Sequence, residues 1–149
     1  MPRSSSSTAV LVDTNVISRA LLPRHISGKS VTAAEWSDAL LGRSIVMAVQ
    51  TRVELLAWPD LRDWGDSRRE ALAAWVAAVP VVDVTLDVQA AYVDLTARAK
   101  RSGHAIADRT HVADRWIAAT ALATKLPLAS DDGIFFGIDD LELIGPGDS

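Results

Sequence analysis

Four acidic residues stand where a chain can do chemistry. Asp13 closes the apolar run Val10-Leu11-Val12. Glu54 lies in the helical stretch after a second such run. Asp114 opens a long apolar helix, and Asp132 follows Pro127-Leu128-Ala129 through Ser130-Asp131. Each has an ordinary explanation. Asp13 is a good N-cap, and Thr51 with Glu54 matches a capping box. Asp114 complements a helix dipole, and Asp132 suits a turn or the cap of a helical turn at 133–136. Their shared placement is harder to dismiss, because all four fall just past a strand or in the first turns of a helix. Carboxylates gathered at one edge repel one another and need counter-charge. Hard divalent cations, Mg²⁺ or Mn²⁺, supply it through oxygen ligands. Such ions activate water and stabilise the oxygens of a displacement at phosphorus. The residues alone therefore point to a metal-dependent phosphodiesterase or phosphatase site.

The elements that position these acids alternate. Strands are expected at 10–12, 44–49, 81–84, 127–129 and 141–144. Helices are expected from residue 16 up to Pro23, then at 31–41, 51–58, 66–78, 87–101 and 112–124. A loop is expected at 24–30, and Pro59 should end the helix that begins at Thr51. Short apolar strands alternating with helices give an α/β fold with a parallel sheet covered on both faces. Ligands then bind beyond the carboxyl ends of the strands.

The 149 residues make one domain, expected as a disordered tail at 1–8, a domain at 9–145 and a short tail at 146–149. The composition, 49% hydrophobic and 23% charged, is that of a globular protein. The absence of cysteine excludes disulfides and thiolate zinc sites, and fits a cytoplasmic chain. The longest near-apolar stretch, 71–82, is broken by Pro80 and is too short for a membrane span of about 20 residues. A net charge of −4 argues against binding nucleic acid by bulk attraction alone. Nineteen acids against fifteen bases leave an excess that four site carboxylates would account for.

The chain resembles PIN-domain ribonucleases, and most closely the VapC-type toxins of toxin–antitoxin pairs. The match begins at Val10-Leu11-Val12-Asp13-Thr14-Asn15-Val16-Ile17-Ser18 and continues at Thr51-Arg52-Val53-Glu54-Leu55. It is strongest at Ala113-Asp114-Arg115-Trp116-Ile117-Ala118-Ala119-Thr120-Ala121-Leu122-Ala123, and runs on through Ser130-Asp131-Asp132 to Phe135. The resemblance implies a three-layer α/β/α fold around a mostly parallel sheet of four or five strands. It implies a Mg²⁺- or Mn²⁺-dependent endoribonuclease, with tRNA or rRNA as substrate, a VapB-like antitoxin as partner and a homodimer as the assembly. It carries over Asp13, Glu54, Asp114 and Asp132 as the catalytic, metal-binding acids, with Asp13 and Asp114 as direct ligands. Asp131 stands where the family often has Asn or Arg.

Around this site Thr14, Asn15 and Ser130 are candidate hydrogen-bond partners of the carboxylates. Arg98, Lys100, Arg101, Arg109 and Arg115, with His104 and His111, form a basic segment able to hold phosphates. The two histidines are also candidate, though less fitting, metal ligands. Arg62, Arg68 and Arg69 are interleaved with Asp60, Asp63, Asp66 and Glu70, which predicts a salt-bridged surface. Trp75 and Trp116 read as core. Trp36, Trp58 and Trp64 are expected to line a groove for an antitoxin peptide or a dimer contact. Three rivals stand beside this reading: a PIN-fold RNA-processing nuclease without an antitoxin, a non-catalytic interaction module, and a phosphotransfer enzyme with a nucleophilic Asp13. The last is disfavoured because Asn15 stands where the haloacid-dehalogenase pattern has a second Asp.

Overall fold

Val10, Leu11 and Val12 are fully buried, although a strand shows its side chains to opposite faces by turns. Both faces of the sheet are therefore covered. The computed structural model describes residues 8–28 and 33–148. The expected N-terminal tail up to residue 7, residues 29 and 30 of the expected loop, residues 31 and 32 of the helix expected at 31–41, and Ser149 lie outside them.

Strand β1 (Ala9–Val12) is the centre of a five-stranded sheet of order β3-β2-β1-β4-β5. β2 (Ser44–Ala48), β3 (Val81–Val82), β4 (Leu128–Ala129) and β5 (Leu143–Ile144) complete it, and every pairing is parallel. On one face, Val10 and Val12 meet Ile17, Leu22, Trp36, Leu55, Leu72 and Val76. Leu22 directly follows the π-helical stretch Ile17–Leu21 that continues α1 (Thr14–Val16), and the others come from that stretch, α3 (Ala33–Leu40), α4 (Val49–Leu61) and α5 (Asp66–Ala77). On the other face, Leu11 meets Leu95, Ala99, Ile117, Ala118 and Phe135. Those belong to α6 (Leu86–Ser102), α7 (Val112–Thr124) and the 3₁₀ turn Gly133–Phe135. The result is the three-layer α/β/α arrangement expected. Each fully buried Leu or Ile contributes about 1.5–3 kcal/mol, which is why the sheet centre is so strictly apolar.

Local signals set the helix ends. Thr85 Oγ1 accepts from Val88 N at 3.2 Å to start α6, and Lys100 and Arg101 lie in its last turn. Gly103 stops it in the left-handed region, at φ 74°.

Some expectations need correction. The segment 24–30 is not all loop, since α2 (Arg24–Ser27) forms and ends at Gly28 with φ 72°. Pro59 does not end α4, which runs to Leu61. A proline this close to a helix end loses one backbone hydrogen bond and leaves only two residues to follow. The carbonyl of Pro59 instead accepts from Trp64 N at 3.0 Å. Strands β3, β4 and β5 are each only two residues long, because the sequence runs around them include the turns that flank a short pairing.

Candidate active site

In an all-parallel sheet the carboxyl ends of all strands share one edge. The helix that precedes a strand runs back, so its N-terminus reaches that edge too. Asp13 directly follows β1 and Asp132 follows β4, while α4 leaves the edge from β2 and α7 begins there ahead of β4. Topology thus places Asp13, Glu54, Asp114 and Asp132 along one rim.

Asp13 is 4% exposed. Its Oδ1 accepts from Val16 N at 2.9 Å and caps α1, while Ser130 Oγ donates to Oδ2 at 2.5 Å. Asp132 N donates in turn to Ser130 Oγ at 3.1 Å. Burial pushes the Asp13 carboxyl above its ordinary range, the bonds from Ser130 and Val16 offset part of this, and the charges of Asp131 and Asp132 push it further up.

Glu54 is half-buried in the second turn of α4. The expected capping box does not form. The helix starts two residues earlier, at Val49, so Thr51 is inside the first turn and is fully buried. Burial raises the Glu54 carboxyl, a hydrogen bond with the Thr14 side chain lowers it, and the charges of Asp114 and Asp13 raise it. Thr14 and Thr51 pair through their hydroxyls at 3.4 Å.

Asp114 lies in the first turn of α7, half-buried, with His111 Nδ1 2.9 Å from its Oδ2. Asp132 is exposed, and its Oδ1 accepts from Ile134 N at 3.0 Å, capping the 3₁₀ turn. Asp131 pairs with Arg19 Nη2 at 2.6 Å. Two of the three expected hydrogen-bond partners, Ser130 and Thr14, hold site carboxylates. The Asn15 side chain is exposed and holds none. The links His111–Asp114 and Arg19–Asp131 were missed. The first pair is three residues apart ahead of a helix start, a spacing that could have flagged it. The second joins residues 112 positions apart.

The basic segment is less uniform than its sequence. Arg115 is buried: its Nη1 donates to the carbonyls of Ile106 and Asp108, both at 2.8 Å, and its Nη2 to Tyr92 Oη at 3.0 Å. Arg98 pairs with Asp94 at 2.8 Å. His104 Nδ1 accepts from Ile106 N at 3.0 Å, so Nε2 carries the proton and donates to the Phe136 carbonyl at 2.7 Å. Arg115 and His104 therefore secure the loop before α7 rather than face a phosphate. Of the tryptophans expected on a groove, Trp36 is 1% exposed and belongs to the core, whereas Trp64, 8% exposed and packed in the same core, also lines a cleft with Trp58. Trp58 is half-buried, as are Trp75 and Trp116, and Trp116 stacks on Tyr92 with centroids 4.0 Å apart.

The donor set fits a hard divalent cation. It is made of carboxylate oxygens, and two of the carboxylates are held above their ordinary range by burial and by other acids. Among the described residues no salt bridge reaches Asp13 or Glu54. Nor do three or more His, Asp or Glu side chains there close into a group tight enough to hold a metal by themselves. The acids approach one another along the rim without forming a finished ligand shell.

The sequence profile of the PIN domain matches residues 10–141. The chain belongs to the PIN-domain family. Its similarity is of VapC type, for it is 34% identical to VapC ribonuclease Y4jK of Sinorhizobium fredii, over 92% of this chain and 96% of that protein. Among solved structures, FitAcB from Neisseria gonorrhoeae is 27% identical, with a TM-score of 0.69 over 91% of this chain and 96% of that one. VapBC2 from Rickettsia felis, bound to a promoter DNA fragment, is 15% identical with a TM-score of 0.72, covering 93% and 98%. At that identity the likeness is one of fold. This PIN-domain chain has, among its described residues, no helix long and apolar enough to cross a membrane.

Proposed function

We propose that this PIN-domain chain is a Mg²⁺- or Mn²⁺-dependent endoribonuclease, the toxin of a toxin–antitoxin pair, which cleaves a structured cellular RNA such as tRNA or rRNA. The observation that carries the reading is the pair Asp13 and Glu54. Both carboxylates are raised first by burial, then Asp13 by the charges of Asp131 and Asp132 and Glu54 by those of Asp114 and Asp13; both are held by hydroxyls, and neither has a salt bridge among the described residues. Arg19 reaches Asp13 as a charge without a salt bridge, and a carboxylate withdrawn from water this far is costly unless a cation completes it.

Asp13 and Asp114 would hold the metal directly, with Glu54 and Asp132 completing the set. When bound, the ion lowers the pKa of its water and offsets charge on the phosphate. Ser130 fixes the Oδ2 of Asp13, Val16 N fixes the Oδ1, and Thr14 steadies Glu54. His111 orients Asp114 through its Nδ1. Restraint by a VapB-like antitoxin and assembly as a homodimer follow from the VapC-type similarity.

One rival, the interaction module, treats the acids as caps and turns. Asp13 and Asp132 do cap helical turns. Glu54 does not, and a module gives no reason for its half-buried carboxylate. The test is digestion of total RNA by the purified chain with Mg²⁺, with Mn²⁺ and with EDTA. Discrete fragments that vanish in EDTA support the nuclease. Intact RNA under all three conditions favours the module.

A further inference from the structure

Beside the acids lies a cleft of about 480 Å³, lined by Asn15, Ser18, Trp58, Arg62, Trp64 and Arg68 among others. We propose that this cleft is a subsite for RNA, seating the base and phosphate of a nucleotide next to the one cleaved. The proposal rests on the nuclease reading and names where its substrate strand would lie.

Three observations carry it. The first is continuity. Trp58 is one turn beyond Glu54 on the same face of α4, and Arg62 is the residue that ends that helix, a further turn on. At about 1.5 Å of rise per residue, each step is about 6 Å. Asn15 and Ser18 form the facing wall, on the helix that Asp13 caps. A strand crossing the acids therefore runs into the cleft.

The second is chemistry. The Arg62 guanidinium lies 4.1 Å from the Trp58 ring centroid, and Arg68 lies 3.6 Å over Trp64. Among the described residues, the expected surface of salt bridges is realised only by Arg69, which pairs with Asp60 at 2.6 Å. Arg62 and Arg68 form no salt bridge among the described residues. Trp64 is buried beneath Arg68, so the flat group open to a base is the exposed Arg62 guanidinium on half-buried Trp58, while both arginines offer charge to a phosphate, which is how single strands are held. In a chain of net charge −4, two such cations at the cleft favour a polyanion.

The third is preorganisation. Arg68 Nε donates to the Ile26 carbonyl at 2.6 Å, which fixes the side chain. Its Nη2 lies 3.1 Å from where a Cβ on Gly28 would stand, and Gly28 has φ +72°. Only glycine meets both demands without strain. A side chain at position 28 would be strained by the backbone and would also crowd this guanidinium.

The experiment uses Asp13→Asn protein, so that RNA is bound without turnover, and a labelled 12-nucleotide single-stranded RNA. Adding Arg62→Ala and Arg68→Ala together should weaken the Kd at least tenfold. The same pair should reduce the slope of log affinity against log salt by about 1.4, two phosphate contacts at about 0.7 each. Trp58→Ala should weaken binding, and Trp58→Phe should restore most of it. Arg62→Ala alone, at an exposed position, gives a variant whose folding is not at issue, and it should lower the salt slope by about 0.7. A Kd within twofold in the double variant, an unchanged salt slope, or no RNA binding at all would overturn the proposal. Equal affinity for a poly-glutamate peptide, lost on the same substitutions, would overturn it in favour of a protein partner. The nuclease reading fails separately. RNA bound through Arg62 and Arg68 but never cleaved by wild type sinks the nuclease and spares the subsite. Cleavage that is unaffected by both arginine substitutions at RNA below KM does the reverse.

Discussion

Ser130 Oγ donates to Asp13 Oδ2 at 2.5 Å, joining two residues 117 positions apart that leave neighbouring parallel strands. One hydroxyl thereby fixes the carboxylate from β1, and it also accepts from Asp132 N. Ser130→Ala removes both of these bonds at a buried position, so the variant is first checked for folding by circular dichroism. Loss of an outer partner of a metal ligand costs about 10–100-fold in metal affinity or activity. We therefore expect Ser130→Ala to lower Mn²⁺ affinity within that range in calorimetry. Affinity equal to wild type would contradict the positioning role.

The same burial has a cost in stability. Asp13 and Glu54 both titrate above the ordinary carboxylate range, so the folded chain holds their protons more tightly than the unfolded chain does. Stability from these groups is then fullest below the unfolded carboxylate pKa of about 4, and is lost as pH rises through the raised folded values. In EDTA at pH 7, Asp13→Asn should melt above wild type, by about 4 °C for each kcal/mol recovered. The gap should close near pH 3. Adding Mn²⁺ should raise the wild-type melt and leave the variant unmoved. Identical melts at pH 7 in EDTA would speak against a strained carboxylate.

Arg115 adjoins Asp114 but belongs to the scaffold. Its guanidinium satisfies the carbonyls of Ile106 and Asp108 and the hydroxyl of Tyr92 in a buried setting. Arg115→Met strips all three of their donor, and should cost about 3 kcal/mol or more in denaturant unfolding. Arg109→Ala, at an exposed position nearby, should stay within about 0.5 kcal/mol of wild type. Equal effects at the two positions would remove the distinction.

Much of this was legible in the sequence because its signals are local. Period and breakers gave the alternation of strands and helices, and α7 falls at 112–124 as expected. The rim position of the four acids is legible because each lies at a strand end or in the first turns of a helix. What escaped depends on tertiary contact. Arg115 reads as one base among five, and only its burial separates it from Arg109. Trp36 and Trp64 look like surface aromatics beside polar neighbours, yet their rings fill the core under α3 and α5. Arg62 and Arg68 sit among acids in sequence, but the fold turns both onto indole rings. The capping box at Thr51 was a plausible local pattern that an earlier helix start displaced.

If the rim acids make this chain a metal-dependent nuclease, removing two of them must remove the cleavage. Cleavage of total RNA in Mn²⁺ by wild type and by an Asp13→Asn, Asp114→Asn double variant, both confirmed folded, tests it most directly. Wild type should give discrete fragments, and the variant should lose at least 100-fold in rate. Equal cleavage by the two proteins would contradict it.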